Sequence, residues 1–82
     1  MSDPSNAERA RYLEEQQAIL KQRMAEIAAS IAVTEEQVAH TLEQMAGQRS
    51  PSDAEHLLAE AEKARSYAAK ERSRAAGWAD DD

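Results

Sequence analysis

The sequence predicts an all-α fold: an antiparallel helical hairpin, with helices over about 5–46 and about 52–77, that dimerises into a helical bundle. Three observations predict it. From Ser5 to Ala46 the chain contains neither glycine nor proline. The one interruption is the short stretch from Gly47 to Pro51, read as the loop between the two helices, with Gly47 as the helix stop. On both sides of it the apolar residues recur at intervals of three and four, the rhythm of packed helices.

The first helix opens at Ser5, which with Glu8 has the Ser-x-x-Glu pattern of an N-terminal capping box. Its apolar seam runs Leu13, Leu20, Met24, Ile27, Ile31, Val38, Leu42 and Met45, with Gln17 and Thr34 filling the two missing steps. The intervals alternate between three and four apart from one extra four after Thr34. Thr34 with Gln37 offers a second capping pattern and hence a possible kink. Gly47 is read as the stop, in the left-handed conformation that glycine adopts without strain.

Ser52 with Glu55 is read as the cap of the second helix, just after Pro51. Its seam repeats the rhythm in smaller residues: Ala54, Leu57, Ala61, Ala64, Ala68, Ala75 and Trp78, with Glu71 the exception. Acidic residues dominate its first half and basic ones its second, an order that complements the helix dipole. Large residues of the first helix are expected to face these alanines. Trp78 is read as packing at the end of the seam. Residues 1–4 and 79–82 are read as tails around a single helical unit, 5–78.

Helix length adds an expectation. At 1.5 Å per residue the first helix is roughly 60 Å long and the second roughly 36 Å. The second therefore covers only about residues 22–46 of the first. Tyr12, Leu13, Ile19 and Leu20 are left on an overhang, which is expected to be buried by another chain.

Composition narrows the function. The chain has 82 residues, of which 41% are hydrophobic, and alanine supplies most of that share. Large apolar residues are few, and a core so thin is expected to be completed by self-association or by another protein. The net charge of −6 disfavours nucleic acid and anionic lipid as partners. No apolar run approaches membrane-spanning length. Zero cysteine excludes disulfides and thiolate metal sites and fits a reducing cytoplasm. The N-terminus has no basic start followed by an apolar stretch, so no signal peptide is expected.

No catalytic residues, cofactor or metal are expected. His40 and His56 are isolated, although Glu36 with His40 and His56 with Glu60 share the i, i+4 spacing of a two-ligand site. One alternative reading is a DNA-binding regulator with a helix-turn-helix at 25–46, capped by Thr34. Three features oppose it. Nothing separates this segment from the helix before it, although a tri-helical domain needs such a turn. Ala32 occupies the turn, where a positive φ costs about 1 kcal/mol. The would-be recognition helix begins Thr34-Glu-Glu-Gln and carries no Lys or Arg for phosphate or guanine. The cations from Lys63 to Arg74 alternate with Glu62 and Glu71 and read as a solvated face.

The stretch Ile27 to Ala46, with Val38-Ala-His-Thr-Leu-Glu-Gln-Met-Ala46, and the stretch Ala61-Glu-Lys-Ala-Arg-Ser-Tyr-Ala-Ala-Lys-Glu-Arg72 resemble small acidic helical proteins common in actinobacteria. That resemblance implies a helical hairpin and no active site. A second resemblance is to the Trp-Xaa-Gly hairpins exported by type VII secretion, whose Tyr-x-x-x-Asp/Glu signal Tyr67-Ala-Ala-Lys-Glu71 matches. Their Trp-Xaa-Gly position reads Met45-Ala46-Gly47 here. The function expected is non-catalytic protein association, as a small adaptor, assembly factor or regulator. The residues expected to carry it are Tyr12, Leu13, Ile19, Leu20, Met24, Ile27, Ile31, Val38, Leu42, Met45, Leu57 and Trp78.

Overall fold

A computed structural model of the chain describes residues 4–79. They form two helices, α1 (Pro4–Ala46) and α2 (Pro51–Ala79), packed against each other as an antiparallel hairpin. The all-α hairpin expected from the sequence is the fold observed. Tail residues 1–3 and 80–82 lie outside the described residues; Pro4 and Ala79, also read as tail, are helical.

Local chemistry explains the ends. At the C-terminus of α1 the backbone N–H groups of Gln48 and Arg49 donate to the carbonyls of Met45 and Ala46, three residues back, at 3.0 and 3.3 Å. The last turn therefore tightens before the chain leaves the helix. Gly47 does not take a positive φ, nor does any other described residue. Its expected left-handed stop is thus replaced by this tightened turn. Pro51 disfavours helical geometry at Ser50, and that is what ends the run.

The cap of α2 also shifts by two residues from the expected Ser52. Pro51 occupies the first helical position, where its missing N–H costs nothing. The Ser50 hydroxyl accepts from the Asp53 N–H at 3.5 Å, and Asp53 sits in the first turn beside the positive end of the dipole.

α1 runs without a break through Thr34. The Thr34 hydroxyl donates back to the Ser30 carbonyl at 3.1 Å, as a hydroxyl does inside a helix. The segment 25–46 therefore contains no helix-turn-helix turn.

The core between the helices is made of small side chains. Ala28, Ala32, Ala39 and Ala46 are buried on α1, and Ala61, Ala64 and Ala68 on α2, with Ala32 and Ala39 fully covered. Among the described residues no large side chain is fully buried. Leu42 packs partly buried against Ala39, Ala61 and Ala64. Alanine on alanine brings two helices to the near end of the usual separation of about 8–10 Å. Each buried methyl contributes on the order of 0.8 kcal/mol, so the hairpin is held by close approach over many small contacts.

Two rows on the first helix

The α2 row expected from the sequence is the row that packs. Ala61, Ala64, Ala68 and Glu71 are buried, and Ala54, Leu57 and Ala75 are half-buried. The α1 row differs from expectation. The residues turned toward α2 are Lys21, Ala25, Ala28, Ala32, Glu35, Ala39, Leu42 and Ala46, all buried or half-buried. They follow strict intervals of four and three. The large residues expected to face the alanines stand one position earlier. Along that outer row lie Leu13, Gln17, Leu20, Met24, Ile27, Ile31, Thr34, Val38, Thr41 and Met45, also at strict four–three intervals.

The irregular step in the expected seam is now explained. Leu42 belongs to the inner row, whereas Val38 and Met45 belong to the outer one. Successive helix residues are separated by about 100°, so the two rows define faces nearly at right angles. Met24 and Ile31 are half-buried along the edge shared with α2. Leu13 and Leu20 are 60% and 59% exposed, Ile27 54%, Val38 43% and Met45 38%. Such a run of exposed large side chains on one face exceeds the scattered apolar exposure normal for a surface.

The expected overhang is present. Every residue from Ser5 to Leu20 is exposed, Tyr12 and Ile19 among them, and the first half-covered position of α1 is Lys21. Trp78 sits at the far end of the α2 row, 37% exposed. It closes a shallow hollow of about 170 Å³ whose other walls include Met24, Ile27, Tyr67 and Arg74. At the loop end a larger groove of about 330 Å³ is lined by Met45, Arg49, Asp53, His56 and Leu57.

The flank away from the outer row is polar and ion-paired. Arg65 donates from Nε and Nη2 to both carboxylate oxygens of Glu43, and Arg72 does the same to Glu36. The hydrogen bonds from these guanidinium groups hold the Glu43 and Glu36 carboxyls below the usual value, and the carboxylates in turn raise the arginines. Glu36 and Glu43 are seven apart, as are Arg65 and Arg72. The pairs therefore repeat with the heptad and match the axial register and rotation at which the two helices pack. Turning α1 to bring the outer row inward would break both. The seven-residue spacing of the two Glu and two Arg was visible in the sequence, but pairing across helices needs the register to be known first.

Among the described residues Glu71 is the one buried charged side chain, and Arg74 donates to its Oε1 at 3.1 Å. Lys63 pairs with Glu60 at 3.1 Å. Four cations of the 63–74 cluster are thus bound to glutamates within the hairpin. Among the described residues no three His, Cys, Asp or Glu gather closely enough to hold a metal ion. Glu36 is instead occupied by Arg72. No helix among them is long and apolar enough to cross a membrane.

Comparison of the chain with family models, with curated proteins and with solved structures gives no match.

Proposed function

We propose that this chain is a non-catalytic protein association module, of the adaptor, assembly-factor or regulator kind, that works by packing the outer row of α1 against a partner helix. One observation carries the proposal: along a four–three row about 48 Å long from Leu13 to Met45 at 1.5 Å per residue, Leu13, Leu20, Ile27, Val38 and Met45 stand exposed beside a hairpin already closed by alanines. Each of these large side chains contributes roughly 1.5–3 kcal/mol when fully buried, so the row holds its energy for association. A reducing cytoplasm suits a chain without cysteine.

The test compares three tagged forms expressed in the native cell: the unaltered chain, Leu20→Glu with Ile27→Glu on the outer row, and Arg65→Gln with Arg72→Gln on the opposite flank. The unaltered chain and the arginine variant should each retain a bound protein, either a further copy or another chain, while the outer-row variant loses it. Retention of the same partner by the outer-row variant would defeat the proposal. So would an unaltered chain that is monomeric and brings down no protein.

A further inference from the structure

We infer that the occupant of the outer row is a second copy of this chain, laid antiparallel on the first so that two hairpins form a four-helix bundle. This rests on the association reading above and names its partner.

The geometry of α1 supports a bundle. A helix in a four-helix bundle touches two neighbours lying nearly at right angles around it. The inner and outer rows of α1 provide two such faces, offset by one residue and hence by about 100°. The inner face is taken by α2, which leaves one position for one further helix.

The outer row is complementary to itself when reversed. Place Leu13 of one copy against Met45 of the other. The four–three rhythm then sets Leu20 on Val38 and Ile27 on Ile31, large on large. Gln17 falls on Thr41, polar on polar, and only Met24 meets a smaller residue, Thr34. A parallel pairing would instead stack Gln17, Thr34 and Thr41 each on its own copy, which puts three polar layers inside the interface.

The overhang decides the direction. In a parallel pair the two single-helix overhangs meet only each other, leaving a two-helix segment too slim to cover its own side chains. In the antiparallel pair each overhang lies against the two-helix part of the partner. Leu13 arrives at the loop-end groove lined by Met45, His56 and Leu57, which has room for it at about 330 Å³. The five exposed large apolar side chains of the outer row offer roughly 500 Å² per chain, and Tyr12 and Ile19 beside them bring this to roughly 700 Å², close to the ~800 Å² per partner of a standard interface.

The chain has no cysteine, so introduced ones report cleanly. Sedimentation equilibrium of the purified chain should give twice the 9.1 kDa chain mass. Leu13→Cys mixed with Met45→Cys should form an interchain disulfide under mild oxidation, whereas Leu13→Cys alone should not; circular dichroism confirms that each variant keeps its helices. A disulfide in Leu13→Cys alone would overturn the antiparallel arrangement. A mass of 9.1 kDa at concentrations of about 100 μM would overturn the second copy as partner. It would leave association with a different protein standing or falling on the co-purification experiment.

Discussion

Two rows on α1 lie one residue apart and have opposite fates. The inner one is mostly alanine and is closed by α2; the outer one carries the large apolar residues, most of them exposed, and is longer than α2 can reach. The difference shows that size, rather than hydrophobicity alone, chose the intramolecular face. An alanine row on α2 packs most closely on another alanine row, and the Glu36–Arg72 and Glu43–Arg65 pairs are compatible with that rotation. The strongest apolar residues were thereby left outside the monomer.

The contrast is broken most severely by charging the outer row. Leu20→Glu with Ile27→Glu places four carboxylates in a symmetric dimer and removes roughly 6–12 kcal/mol of burial, if each lost side chain is worth about 1.5–3 kcal/mol. The expected result is a monomer at all accessible concentrations that keeps its helical circular dichroism, because the inner row is untouched.

Enlarging the inner row should do the reverse. Ala39→Leu forces an extra side chain into a position with no exposed surface and should cost about 1–3 kcal/mol of hairpin stability. In a chain of this size that lowers the melting temperature by roughly 4–8 °C for each kcal/mol. The same substitution at Val33, on neither row, should leave the melting temperature nearly unchanged.

Glu71 sharpens the comparison in the other direction. It is a carboxylate within an alanine row, paired with the exposed Arg74 side chain. Glu71→Met removes a charge that is costly to bury and should hold or raise the melting temperature. A fall of several degrees would show that Glu71 is needed for the hairpin.

The ion-paired flank should give the smallest effect, since its groups are solvated. Both glutamates have lowered pKa values, so their contribution is complete above the ordinary glutamate value of 4.5 and fades as pH falls through the lowered ones. Melting temperature should therefore fall on acidification below that point, and fall less in a variant carrying Glu36→Gln and Glu43→Gln.

The sequence made some of this legible and hid the rest for definite reasons. Both helices, their antiparallel pairing and the overhang followed from the glycine-free run, the Gly47–Pro51 break and 1.5 Å per residue. The α2 row was legible because its apolar residues follow a single rhythm. The α1 row was not, because two strict heptad rows run side by side and the larger residues drew the seam outward. Leu42 then seemed an irregularity although it marks the other row. The ends were misplaced by the same kind of ambiguity: Ser50 and Ser52 both suit a cap, and only the position of Pro51 at the first helical turn separates them. Whether Gly47 turns left-handed or the helix merely tightens is a choice between backbone geometries that both accommodate glycine.

The division of labour between the rows is tested most directly by amide hydrogen exchange followed along α1 as the chain is diluted. The alanine-closed segment 28–46 should keep its protection at every concentration. The overhang 5–20, an exposed extension of α1 with no packing partner in the hairpin, should be protected when concentrated and lose that protection on dilution. An overhang whose exchange ignores concentration, or two segments that open together, would contradict a hairpin closed by its small row and an association driven by its large one.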